Sequence, residues 1–166
     1  MRSAWKIGGA VSVVAIALMI GAAAHADIPK QVQTKFRGHI LITNEPLPED
    51  VMDAKSAISE FKKLDKKALK GEAVDGVKSW TFFYTAFLKK APGTGDLTLD
   101  FHTADKEKLY VANKRLKVNG SLTIIAGRLT ISEDDGPAAG KTYHLILRAK
   151  LGKKELEIAK TKLKLE

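Results

Sequence analysis

The chain contains no cysteine. Disulfides, a thiol nucleophile and a lipid-modified cysteine are therefore all excluded. Short-range metal spacing is missing too, since no His-x-His or His-x₃-His occurs. No Gly-x-Ser-x-Gly is present, and Ser56, Ser59, Ser79, Ser121 and Ser132 show no nucleophile context. No catalytic set and no cofactor motif emerges, so neither a catalytic residue nor a cofactor is expected. Aromatic residues are few, and five of the eleven (Trp80, Phe82, Phe83, Tyr84 and Phe87) fall in one stretch of eight positions. That stretch reads as a central β-strand over Val77 to Lys89.

The first 26 residues carry Arg2 and Lys6, then an uncharged apolar run from Ile7 to Ala24, then Ala24-His25-Ala26. This is the layout of a secretory signal peptide cleaved after Ala26. A retained membrane span is the competing reading, because eighteen apolar residues are the lower limit for crossing a bilayer. Cleavage leaves 140 residues, one domain's worth, and taking Arg2 and Lys6 from a formal charge of +9 leaves +7. An exported chain without cysteine fits a periplasmic or secreted bacterial protein whose core needs no disulfide.

Residues 27–34 are polar and read as a flexible lead, with residues 35–166 as a single domain. Lys35 to Thr43 alternates as a strand, with Phe36, Ile40 and Ile42 on one face. Residues 49–70 change period. Val51, Ala54, Ile58, Phe61, Leu64 and then Ala68 or Leu69 follow the spacing of one helical face, predicting an amphipathic helix ended by Gly71. Strand follows strand thereafter. Asn119-Gly120 reads as a hairpin turn and Gly127 as a kink or bulge. Leu156 and Ile158 are out of phase with Leu163 and Leu165, which predicts a bulge near Ala159-Lys160. Leu109 to Ala112 and Leu116 to Val118 read as two short strands or as one strand with a bulge. Seven to nine strands at such intervals suggest an antiparallel immunoglobulin-like β-sandwich with one helix packed on it, or alternatively a β-barrel.

The closing segment, from Gly140-Lys141-Thr142-Tyr143 to Leu165, resembles the final hairpin of exported immunoglobulin-like domains. There a Gly-Lys-x-Tyr start leads into two long strands. The chain is similar in this respect to small exported bacterial immunoglobulin-like β-sandwich proteins, a resemblance that implies a fold and no chemistry.

Gly136-Pro137-Ala138-Ala139-Gly140-Lys141-Thr142 is one residue short of a phosphate-binding loop and opens a strand rather than a helix. Glu133-Asp134-Asp135-Gly136 lacks the alternating acids of a calcium loop. No metal site is expected, although His39, His102 and His144, with Asp100, would form one if their strands were adjacent. The basic charge is the remaining lead. Its expected binding surface comprises Lys114, Arg115, Lys117, Lys160, Lys162 and Lys164, joined by Phe83 and Phe87 should the helix leave them open. The reading is an exported, non-catalytic binding module whose partner is an envelope protein or an anionic envelope polymer, not nucleic acid. The alternative is an envelope-acting hydrolase or metal-dependent enzyme using His39, His102 and His144.

Overall fold

The computed structural model describes residues 28–48 and 53–166. The expected signal peptide with its expected cleavage site, and Glu49, Asp50 and Val51 at the expected helix start, lie outside the described residues. Among the described residues there are two α-helices and nine strands: α1 (Lys30–Lys35), β1 (His39–Thr43), α2 (Ala54–Leu64), β2 (Ala68–Leu69), β3 (Glu72–Val74), β4 (Val77–Phe87), β5 (Asp96–Thr103), β6 (Tyr110–Lys117), β7 (Ile124–Ser132), β8 (Thr142–Leu151) and β9 (Lys154–Leu165). None of the described helices is long and apolar enough to cross a membrane.

The mainly-β expectation holds, but the strand pairing does not give an antiparallel sandwich. All nine strands join one mixed sheet. β4 pairs with β7 along one edge and with β3 and β1 in tandem along the other. β1 and β2 in turn lie parallel to β9, which continues through β8 and β5 to β6. Inward side chains from both ends of this row, Ile125 and Ile131 of β7 and Ala112 and Leu116 of β6, belong to one core with Trp80, Phe82, Leu99, Leu145 and Leu163. A single sheet can bring its two ends into one core only by curling, and the result is a half-barrel, nearer the alternative expectation.

No ladder joins β6 to β7 among the described residues. The seam is closed by other means. Lys114 sits on the inward parity of β6 between Ala112 and Leu116, and its ammonium reaches Asp135, 2.8 Å away, just past β7. An inward charge on an edge strand also discourages further strand addition. Asn119-Gly120 is therefore not the hairpin its sequence suggests. It turns the chain from one edge of the sheet to the other. The Asn119 carboxamide oxygen accepts from the Ser121 N–H at 3.0 Å and hydroxyl at 2.7 Å, and Gly120 lies against the Thr94 backbone, where a Cβ would clash. Gly127 is likewise neither kink nor bulge. It continues β7 without interruption opposite Tyr84, whose ring occupies the space a Cβ would need.

The phase change in the last strand is a bulge. Leu147 pairs with Ala159 and Arg148 with Glu157, so Ile158 is the extra residue, one position before the place expected. A second bulge leaves Val111 over between the Phe101–Ala112 and His102–Tyr110 pairs, making β6 one bulged strand.

The helix is shorter than the 49–70 span its periodicity suggests. Asp53 caps α2, accepting from the Ser56 N–H at 2.9 Å. The chain leaves helical geometry at Asp65. Its carboxylate accepts the Ile42 N–H at 3.1 Å, and the Lys66 N–H donates to the Ile42 carbonyl at 2.6 Å. Residues 67–69 then bond along β9. These long-range backbone bonds override a helical repeat that continues through Leu69, and Leu69 joins the core inside the sheet. Gly71 is consequently not a helix cap, and it sits under the Trp80 indole. The stretch expected as a flexible lead holds α1, with Val32 fully buried and Phe36 following it as a cap rather than as a strand residue.

Both helices cover the outer face of β1 and the adjoining end of β4. Leu41, which breaks the polar face of β1, packs there with Phe36, Ala57, Phe61 and Phe87. The ring centroids of Phe36, Phe61 and Phe87 lie 5.4 to 6.5 Å apart. The expected helix cover thus reaches Phe87. It does not reach Phe83, which is half-buried with the Arg128 guanidinium 5.8 Å from its ring centroid. Phe61 is fully buried at this junction. Phe61→Ala should therefore lose about 3–5 kcal/mol in chemical denaturation, and Phe83→Ala much less. Equal losses would show that the helix also covers Phe83.

Candidate functional site

Beyond the helices, the outer face of β9, β8, β5 and β6 is uncovered, and register arranges its side chains in straight rows. Lys162, His144, His102 and Tyr110 form one row, and Lys160, Ile146, Asp100 and Asn113 form the next. Glu157, Arg148, Thr98 and Arg115 form a third. The expected basic surface is not one patch. Arg115 and Lys117 stand on β6, three strands away from Lys160, Lys162 and Lys164 on β9. Lys114 faces inward at the seam. Lys117 is ion-paired with Asp96, Lys160 with Glu157 at 2.9 Å, and Lys164 with Glu166 at 2.8 Å. Between the two groups, Arg148 Nε holds Asp100 at 2.9 Å. Phe87 is 1% exposed and cannot serve as binding surface, so that expectation is corrected along with the single patch.

The histidines divide. His102 and His144 are direct cross-strand partners, whereas His39 lies on β1 beside Asp65, 3.6 Å from its carboxylate. Burial alone would raise the Asp65 carboxyl, but hydrogen bonds from His39, Lys67 and the Ile42 amide hold it below the ordinary range. His102 Nδ1 lies 3.2 Å from the Lys108 carbonyl, and its ring meets Tyr110 edge-on at 5.7 Å. Its Nε2 is buried without a partner. Among the described residues, no group of three or more His, Asp or Glu side chains could hold a metal ion.

One cationic site was not foreseen from sequence. β9 runs beyond the start of β1, and the two pair only at His39 and Lys160. The gap beside the β9 bulge is a hollow of about 370 Å³. Arg37, Lys89, Lys90 and Lys160 surround it, with Leu156 and Ile158 as its apolar wall and Glu157 as its one carboxylate. Gly38, at φ 76°, makes the turn that brings Arg37 beside the end of β4. These basic residues come from three segments far apart in sequence, so no local motif could signal them. A half-open hollow walled by cations can accept carboxylate, sulfate or phosphate groups through charge-assisted hydrogen bonds.

The acidic turn after β7 binds itself. Ser132 and Asp135 form a reciprocal capping box over the 3-10 turn Glu133–Asp135. The phosphate-loop look-alike leads directly into β8, with no helix to present amides. No protein-family model and no curated protein matches this chain.

Burial pushes the His144 imidazolium down, and Lys162, Lys108, Lys160 and His102 add to the effect. The unfolded chain therefore binds this proton more readily, so His144 withdraws stability as pH falls through the histidine range. In an NMR titration His144 should show a midpoint below that of a free histidine, and Lys162→Ala should raise it. A midpoint at or above the free value would contradict the arrangement.

Proposed function

We propose that the protein is an exported, non-catalytic binding module of the bacterial envelope, and that the hollow beside the β9 bulge holds the acidic groups of an anionic envelope polymer. One observation carries this reading. Arg37, Lys89, Lys90 and Lys160, from three separate segments, are gathered around one concavity with a single carboxylate among them. Gathering like charges opposes folding unless something offsets it, and a polyanion would do so. The formal charge of +7 left once Arg2 and Lys6 are taken from +9 would speed encounter with such a polymer. The uncharged Leu156 and Ile158 give the site an apolar wall for a sugar backbone or an acyl segment.

Alginate, a polyuronate, serves as the probe, with neutral dextran as the control. Binding by calorimetry should weaken about tenfold or more between low and moderate salt, because the contacts are solvent-exposed. The triple variant Arg37→Glu, Lys89→Glu, Lys90→Glu should bind at least about tenfold more weakly, which is about 1.4 kcal/mol. Reversing Arg115 and Lys117 on the far strand should change little. Equal losses from the two sets would mean diffuse charge rather than a site, and salt-insensitive capture of a protein would replace the polymer by a protein partner. The enzyme alternative draws only on the His102–His144 pair. Tight Zn(II) retention by the wild type but not by His144→Ala would favour it.

A further inference from the structure

A second hollow on the open outer face has the opposite electrostatic character. It holds about 310 Å³, at the lower end of the range for small-molecule sites (roughly 300–1,000 Å³). Thr98, Asp100 and His102 of β5 form its floor, and Tyr110 and Asn113 of β6 one wall. Arg148 of β8 and Glu155 of β9 close the other side. Two carboxylates stand against one guanidinium. A hollow with this lining does not attract the anions suited to the Lys89 site.

What it offers instead is a dense set of uncommitted hydrogen-bonding groups around an aromatic ring. Asp100 Oδ2 lies 2.9 Å from Arg148 Nε, which fixes both side chains. The other oxygen of Asp100 and the terminal nitrogens of Arg148 are left to bond outward. Among the described residues, no side-chain hydrogen bond engages the Thr98 hydroxyl, the Asn113 amide or the Tyr110 hydroxyl. Asp100 is only 8% exposed although it sits on a solvent-facing sheet surface, and a carboxylate so placed is held rather than free to swing. Tyr110 is 57% exposed. The leftover residue Val111 sets it opposite His102, against whose ring it packs edge-on. The ring is thus braced by His102 while more than half of the residue stays wet.

We infer that this hollow is a binding site for an uncharged saccharide. A pyranose presents one apolar C–H face and a rim of hydroxyls that both donate and accept. The first matches an exposed tyrosine ring held by its neighbour, because an aromatic side chain supplies large contact area while keeping a polar tip. The second matches planar amide, carboxylate and guanidinium groups set on adjacent strands, whose rigid spacing fixes which hydroxyls can be reached. The site is independent of the basic hollow: its residues lie on β5, β6, β8 and the start of β9, and share none with the cluster around Lys89.

The test uses the full chain after export processing, titrated with cello-oligosaccharide, chito-oligosaccharide and manno-oligosaccharide and followed by two-dimensional NMR. At least one of the three should shift the Tyr110, Asn113 and His102 signals in a saturable manner. Tyr110→Ala, a surface change, should weaken that binding at least about tenfold, or about 1.4 kcal/mol. Asn113→Ala, whose amide has no protein partner to lose, should also weaken it. The Arg37→Glu, Lys89→Glu, Lys90→Glu variant should bind the sugar as the wild type does, so failure of the polyanion reading would leave this result standing. Absence of saturable shifts with all three sugars would overturn the inference. So would binding that survives both Tyr110→Ala and Asn113→Ala.

Discussion

Two central strands, β1 and β4, are apolar on both faces, and most of the architecture answers that constraint. A strand in a half-exposed sheet needs only one apolar face. Ile40, Ile42, Trp80, Phe82, Tyr84 and Ala86 supply that face and are buried inside the curl. Leu41 and Phe87 lie on the opposite face, where water would meet them if nothing else did. The helices exist to prevent this. Phe61 of α2, and Val32 and Phe36 in and after α1, close over them, and Asp65 ties the end of α2 to the β1 backbone. A fully buried aromatic residue contributes a few kcal/mol, so this small outer cluster holds the helical layer to the sheet.

Coverage stops where outward apolar residues become sparse. Phe83 is half-buried beyond the helices, and the outward residues of β9, β8, β5 and β6 are polar or charged apart from Ile146. The outer surface therefore divides into a half committed to packing and a half left uncovered. The two hollows flank that uncovered half. One lies where β9 outruns β1 and gathers cations. The other lies over β5 and β6, with balanced charge and an exposed tyrosine. Both adjoin a β-bulge, a device that re-aims side chains locally without breaking the sheet. An envelope polymer that carries sugar rings and acidic groups could use both.

Much of this was legible in the sequence wherever the signal was local. The two-residue alternation of Leu97, Leu99 and Phe101, and of Tyr143, Leu145 and Leu147, marks inward faces directly. The phase slip between Leu156 and Leu163 announces a bulge because the side-chain period in a strand leaves no other remedy. The surplus of aromatic residues on both faces of β4 announces a second cover. Strand partners were not legible. Asn119-Gly120 looks like a hairpin because its turn chemistry is local, whereas β6 and β7 are sent to opposite edges by pairings with β5 and β4. The end of α2 was missed because bonds from Asp65 and Lys66 to Ile42 compete successfully with the helical repeat. α1 was missed although Ile28, Val32 and Phe36, all buried, recur at steps of four, because three positions make too short a repeat to stand out. Arg37, Lys89 and Lys160 meet through folding alone, so the cationic hollow has no sequence signature.

The central claim is that the helical layer seals one half of the outer face and leaves the other half open to solvent. Hydroxyl-radical footprinting read by mass spectrometry tests it in one measurement, because aromatic side chains report their own exposure. Tyr110 should label fast and Phe83 at an intermediate rate, while Phe36, Phe61 and Phe87 stay protected until the chain unfolds. Labelling of Phe61 and Phe87 at the rate of Phe83, or protection of Tyr110 in the isolated protein, would contradict the account.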